Sequence, residues 1–228
     1  MRKSAKRFID ICASALGILA LAIPFLLVAI VIKLDSPGPV LFISDRVGYQ
    51  GRIIRPWKLR SMLHDETQRG SGHAASLDDP RITRVGKFLR TWSIDELPQL
   101  MNVLCGEMSL VGPRPWVPGI LRSELNQTSR SRMRPGITGL AAIRGRNTLS
   151  WDERLAIDTW YIDHWSIWLD VRILLSTPLK ILSRDGLYGA GGMNPSINGG
   201  LPIPSGEGLG VVDEADGHEL HHGNVPRD

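Results

Sequence analysis

The stretch from Ile11 to Ile32 carries no charged residue and is built almost wholly of Ile, Leu, Ala and Val, with Arg2, Lys3, Lys6 and Arg7 before it and Lys33 after it. At ~1.5 Å per residue, a straight helix over it is long enough for a hydrocarbon core of ~30 Å. Pro24 falls in its middle, lacks the N–H that would bond the carbonyl of Ala20, and therefore predicts a kink or break. Basic residues follow as well as precede the segment (Lys33, Arg46, Arg52, Arg55, Lys58 and Arg60), so the positive-inside bias draws both ends to the cytoplasm. The preferred reading is a re-entrant helix-break-helix, ahead of a single span. A cleaved signal peptide fits less well, because the apolar run exceeds the usual ~7 to 15 residues and the exit Lys33-Leu34-Asp35-Ser36-Pro37 lacks a small-x-small site.

Beyond the turn signal Asp35-Ser36-Pro37-Gly38-Pro39, short apolar runs at Val40 to Ile43 and Arg52 to Trp57 predict a small β-hairpin. The aperiodic polar stretch from Met62 to Asp79 reads as a loop. Apolar residues at 94, 97, 100, 101 and 104 predict a helix that Gly106 stops. A second helical pattern runs from Trp151 to about Leu182, interrupted by Pro178. Its rings, Trp151, Trp160, Tyr161, Trp165 and Trp168, suit either a bilayer interface or an ordinary core. The fold class expected is therefore mainly α with a small β-hairpin element. It is divided into a re-entrant membrane anchor (1–34), a compact cytoplasmic catalytic domain with interfacial amphipathic helices (35–185) and a flexible acidic tail (186–228).

Charge sharpens this division. The 228 residues amount to one domain's worth of chain and hold 27 basic against 23 acidic side chains. From Gly186 onward there are six acids and one base, which leaves the preceding body at +9 and suited to anionic partners. A nucleic-acid binder would need only that charge and would leave the apolar segment unexplained. Two cysteines, Cys12 and Cys105, point to neither a disulfide framework nor a thiolate metal cage. The tail histidines His218, His221 and His222 lack a scaffold and read as solvated.

Candidate chemistry centres on Asp95 and Glu96 within RTWSIDELPQL. Ser93 and Glu96 also have the spacing of a helix capping box, with Asp95 at the positive helix end, so a purely structural role is the competing reading. Adjacent helical carboxylates diverge by about 100 degrees, which points to divided labour: one attacks while the other holds a hard cation such as Mg²⁺. Basic side chains crowd the neighbouring sequence: Lys58 and Arg60 in WKLRSM, Arg81 in DPRITRVGKFLR, Arg114 in VGPRP, and Arg144 and Arg146 in RGRN. Arg114 between two prolines and Arg146 in a tight turn are held in stiff settings that suit phosphate. No P-loop, dinucleotide fingerprint, zinc spacing or nucleophile elbow occurs.

Lys6-Arg7-x-x-Asp10, SPGPVLF, WKLRSM, DPRITRVGKFLR, SIDELPQLMNVLCGEMSLVGPRP, RPGITGL and GRNTLSW appear in the order found in bacterial sugar transferases, and from Lys6 to Ser183 the chain resembles a small monotopic phosphoglycosyl transferase. The resemblance implies Asp95 as nucleophile, Glu96 as the Mg²⁺ partner, and Arg114 and Arg146 as residues serving the phosphates of a nucleotide sugar. It also implies transfer of sugar-1-phosphate from a UDP-sugar to undecaprenyl phosphate by a ping-pong route through a covalent Asp95 phosphosugar. That reaction would be the first membrane step of glycoconjugate or exopolysaccharide synthesis, at the cytoplasmic face of the inner membrane. Bilayer lipids are then partners, nucleic acid is not, and a homo-oligomer is left open. Two departures stand out: Ile23 precedes Pro24 where a Ser is common, and Ala142-Ile143-Arg144-Gly145-Arg146-Asn147 replaces a Gln-containing run. The alternative function is a non-catalytic membrane-surface scaffold that binds anionic lipid or an assembly partner.

Overall fold

The structure is a computed structural model that describes residues 2–63, 79–118, 130–184 and 186. Helix α1 spans Arg2–Asp35 and is the one described helix long and apolar enough to cross a membrane. It runs through Pro24 as a single element, where the sequence predicts two halves. A proline removes one ladder bond, and the Leu, Ile and Ala residues on either side resume the helix.

One stripe of α1 is fastened to the rest of the molecule along its length. Lys6 Nζ donates to Asp170 Oδ2 (2.6 Å) and to the Val111 carbonyl (3.0 Å). Arg7 donates to the carbonyls of Val103 and Leu104, and Asp10 accepts from Ser109 Oγ (2.8 Å) and the Leu110 amide (3.1 Å). Ser14 is fully buried, and Gly17 lies against the Leu100 side chain. Farther along, Phe25, Val28 and buried Ile32 pack with Leu59 and Leu89. The spacing 7, 10, 14, 17, then 25, 28, 32 is that of one helical face. The opposite face exposes Leu16, Leu19, Ile23, Leu26, Leu27, Ile30 and Leu34.

The expected hairpin is present as two nested antiparallel pairs. Strand β1 (Leu41–Ile43) pairs with β4 (Trp57–Leu59), and β2 (Arg46–Val47) with β3 (Ile53–Ile54). Helix α2 (Arg84–Thr91) is capped by Thr83 and crosses the chain after β4 so closely that a Cβ on Gly86 would stand 1.9 Å from the Ser61 carbonyl oxygen. The interior of the Met62–Asp79 loop and the tail beyond Gly186 lie outside the described residues.

The helix expected over 94–104 forms in two parts: a 3-10 helix, Ile94–Gln99, and then α3, Leu100–Cys105, stopped by Gly106 in the left-handed conformation. Pro98 cannot donate an i→i−4 bond, which favours the tighter winding before it. A parallel pair not foreseen in the sequence, β5 (Ser109–Val111) with β6 (Gly136–Thr138), leads to helix α4 (Leu140–Arg144). The long C-terminal pattern divides into α5 (Trp151–Asp163) and α6 (Ile167–Ser183). The break comes at His164, and Ser166 Oγ caps α6 by accepting from the Leu169 amide; Pro178 lies within α6 and does not end it. Val111, Leu140, Tyr161 and Ile173 form the core between these helices and β5, so Tyr161 is a core ring, whereas Trp160 and Trp168 are exposed.

Candidate active site

Asp95 and Glu96 lie on the 3-10 helix, which packs against β4. Alternation along β4 sends Leu59 into the core and Lys58 toward the acids. Ser93 does not cap this helix: its backbone is left-handed (φ 55°), and its side chain makes no capping bond. The capping box that the sequence places there occurs instead at Ser150 and Glu153, at the start of α5. Ser93 Oγ accepts from Arg146 Nη2 (2.7 Å), and Arg146 is itself left-handed (φ 51°). Two non-glycine residues in a costly conformation thus meet beside the acids, a concentration of strain typical of functional sites.

Arg114 follows the end of β5, where the backbone is pinned. A Cβ on Gly112 would stand 2.3 Å from the Arg134 carbonyl oxygen, and the Gly136 amide donates to the Pro113 carbonyl. From there Arg114 Nη2 donates to Glu96 Oε1 (2.9 Å), which also accepts from Lys58 Nζ (2.8 Å); Arg114 Nη1 stands 3.5 Å from Oε2. Burial pushes the Glu96 carboxyl up, but Arg114 and Lys58 outweigh it and hold Glu96 well below the usual carboxylate range. Asp95, 8% exposed, accepts no hydrogen bond at its side chain among the described residues. Burial and the neighbouring Glu96 raise it to about 6, against the pull of Lys58, Arg90 and Arg114. One acid is therefore clasped and permanently charged, while its neighbour keeps its lone pairs and titrates near neutrality.

Of the basic residues singled out in the sequence, Lys58, Arg114 and Arg146 converge here. Arg60 has another task, because its buried guanidinium donates to the carbonyls of Ile32, Ser36 and Pro37 and closes the end of α1. Arg81 pairs with Asp79, and Arg144 lies over the exposed ring of Trp160. Three arginines absent from the sequence-based set belong to the cluster: Arg90, felt by Asp95, and Arg46 and Arg154, each lowered to about 10 by burial and then by the charge of Arg114. Nothing in the local sequence marks Arg46 or Arg154, whose RVG and WDERL read as ordinary strand and helix surface, whereas Arg90 opens the RTWSIDELPQL run itself.

Glu96 is the side chain here that could hold a divalent cation. A carboxylate has about four acceptor positions, Oε2 is only weakly engaged, and Asp95 is adjacent. Among the described residues no group of three or more metal-binding side chains occurs, so a cation at Glu96 would draw most of its oxygens from phosphates and water.

Two largely buried carboxylates on a 3-10 helix, framed by basic side chains, in a body fastened to a long lipophilic helix set the class: a membrane-associated transferase. The chain belongs to the bacterial sugar transferase family, which it matches over residues 1–184. It is 47% identical over 193 residues to an undecaprenyl-phosphate glucose phosphotransferase of Komagataeibacter xylinus, covering 79% of this chain and 36% of that protein. It is 44% identical over 192 residues to the exopolysaccharide production protein PSS of Rhizobium leguminosarum bv. phaseoli, covering 78% of this chain and 96% of that one. A UDP-glucose:undecaprenyl-phosphate glucose-1-phosphate transferase of Caulobacter vibrioides is 43% identical over 192 residues, with 80% and 72% covered. Several of these relatives are much longer, and the chain spans 36% and 42% of two of them.

Proposed function

We propose that this protein transfers sugar-1-phosphate from a UDP-sugar to undecaprenyl phosphate, forming undecaprenyl-diphospho-sugar and UMP, in two displacements at one carboxylate. The observation that carries this reading is the division between the two acids: Glu96 is held by Lys58 and Arg114, while Asp95 is left free to attack. The names of the relatives supply the donor and acceptor classes.

In the first displacement, an Asp95 carboxylate oxygen attacks the β-phosphorus of the donor, and the bond from that phosphorus to the bridging oxygen breaks. UMP leaves with the bridging oxygen. Lys58 and Arg114, preset by Glu96, face the charge that builds on the phosphoryl oxygens. Mg²⁺, held by Glu96 beside Asp95, supplies further charge neutralisation when bound. In the second displacement, a lipid phosphate oxygen attacks the same phosphorus and Asp95 is released. The sugar's anomeric C–O bond stays intact throughout, so configuration at that carbon is retained.

The acceptor requires the site to work at headgroup depth. Both ends of α1 are fastened to the same body, at Lys6, Arg7 and Asp10 on one side and at Ile32 and Ser36 on the other, while the outward face is lipophilic. This supports a monotopic seat, with the helix entering and leaving one leaflet at the cytoplasmic face of the inner membrane. The exposed stripe Trp168, Leu175, Leu179 and Leu182 on α6 provides a second apolar surface for lipid. Incubating the protein with UDP-sugar and Mg²⁺ in the absence of lipid tests the order of events. UMP release with a phosphosugar adduct on the Asp95 peptide is expected, and UMP release that strictly requires lipid, with no adduct, would refute the two-displacement scheme.

A further inference from the structure

Helix α6 is held along its inner side and ends against the loops of the site. Ile173 is fully buried, Asp170 takes Lys6 and Tyr161, and the Thr177 and Thr138 hydroxyls stand 2.9 Å apart. Arg184 then turns the chain off the helix axis through a left-handed backbone (φ 57°), its amide donating to the Ile181 carbonyl. Gly186 is left-handed as well (φ 68°), and its carbonyl accepts from the Asn147 amide (2.9 Å). A Cβ on Gly186 would stand 2.4 Å from the Gly145 carbonyl oxygen and 3.3 Å from Arg146 Cβ, so the approach needs glycine for room as well as for conformation.

Arg146, between Gly145 and Asn147, is the residue of this turn that reaches the acids: burial lowers its guanidinium's pKa, and the charges of Glu96, Arg114 and Asp95 all act on it. Its left-handed backbone is costly for a residue with a β-carbon and persists only where neighbours over-determine it. The bonds from the Gly145 amide to the Ala141 carbonyl and from the Thr148 amide to the Gly145 carbonyl are local and shape the turn. The bond to Gly186 comes from outside and ties the turn to the end of α6. At the tip of the side chain, Arg146 Nη2 meets Ser93 Oγ, and the Arg184 guanidinium lies 4.8 Å from the centre of the ring of Trp92, next to Ser93. Of the four left-handed non-glycine residues among those described, three, Ser93, Arg146 and Arg184, lie along this one run of contacts.

Resting on the transfer assigned above, we propose that Arg184 and Gly186 are positioning residues for it. Gly186 braces the main chain of the Arg146 turn, and Arg184 braces the corner at Trp92 and Ser93 that holds the Arg146 side chain. The guanidinium is thereby set beside Asp95 and Glu96 before any substrate arrives. Both residues act through Arg146 rather than on the substrate, and they make the end of α6 part of the framework of the site.

Hydrogen exchange of the full chain in lipid nanodiscs tests the brace without turnover. In Gly186→Ala, amide exchange is expected to rise in peptides covering residues 145–149 at an unchanged melting temperature, and wild-type exchange there overturns the proposal. Release of UMP from UDP-glucose and UDP-galactose, the donors that relatives' names give, tests the consequence in the presence of Mg²⁺ and undecaprenyl phosphate. Gly186→Ala should lower kcat/KM for the donor about ten- to a hundred-fold. Arg184→Ala should lower it about two- to five-fold, and Arg184→Lys, which keeps a cation over the ring, should recover that loss. The decisive arm is an Arg146→Lys background, where the fork that meets Ser93 is gone: there Gly186→Ala should cost about two-fold or less. The same loss in both backgrounds marks a merely structural glycine and overturns the positioning role, as does looser exchange with undiminished turnover. No UMP release by the wild type, with exchange at 145–149 raised in Gly186→Ala, refutes the transfer and keeps the brace.

Discussion

Asp95 is caught between burial, which resists its ionisation, and a chemistry that requires it ionised. Its carboxyl titrates at about 6, so the first half-reaction should rise through that pH and level off above it; a pH profile of UMP release without lipid reads this directly. Stability moves the other way. A carboxyl raised from 3.8 favours the folded state while protonated, and that advantage is lost as pH climbs from about 4 to about 6. Asp95→Asn should therefore abolish turnover yet raise the melting temperature at pH 7.5, a gain of about 1–3 kcal/mol measured by denaturant titration. Lys58→Met should lower kcat/KM for the donor by about ten- to a hundred-fold, since it removes one of the two groups that clasp Glu96 and face the phosphoryl oxygens. The acids, Lys58, Arg114 and Arg146 could be singled out because short motifs hold the residue types that phosphate chemistry needs, although Lys58 and Arg146 meet their partners 38 and 53 positions away. The task of Arg60 was not legible, because an arginine that closes the end of a helix reads the same in sequence as one that awaits a phosphate. Arg46 and Arg154 join the site only through tertiary approach.

At the scale of elements, the polar fastenings of α1 explain Lys6-Arg7-x-x-Asp10, which in the sequence was a motif without a mechanism. Asp170 takes Lys6, Tyr161 Oη (2.6 Å) and Trp165 Nε1 (3.0 Å) together, so one carboxylate joins α1, α5 and α6. Asp170→Asn leaves Lys6 without its counter-ion in a largely dry setting and should cost about 3–5 kcal/mol, with amide exchange rising first in residues 3–14. Gly86→Ala should separate α2 from the chain at Ser61 and displace β4, which carries Lys58; loss of the donor's kcat/KM at normal lipid affinity is the expected sign. Helix existence and the hairpin could be read from periodicity and turn residues. The parallel β5–β6 pair could not, because its strands are three residues each and their register depends on glycines that matter only once two backbones meet. The single long pattern from Trp151 hid a boundary, since the chain has no proline or glycine at His164 and relies on Ser166 to start again.

For the whole molecule, the decisive quantity is which side of the bilayer each end of α1 meets. In a chain with Cys12 and Cys105 replaced, Lys3→Cys and Lys33→Cys should both react with a membrane-impermeant maleimide added to inverted vesicles, and neither should react in intact cells. Opposite reactivity would turn the helix into a span and break its contacts with the body at one end. The lipophilic segment and its basic flanks were plain in the sequence; its lateral fastening was not, because hydropathy reports the side that meets lipid and is silent about the narrow stripe that meets protein. That stripe makes the helix a shared wall. Ile32 completes an inner cluster, Arg7 closes the end of α3, and Asp10 holds the start of β5. A truncated version engineered for aqueous handling, with its greasy beginning cut away, would lose part of its own interior along with its foothold. Such a fragment should misfold whatever detergent is offered, and biochemists seeking a tractable form would do better to recolour the outer face with polar side chains and leave the inner one alone.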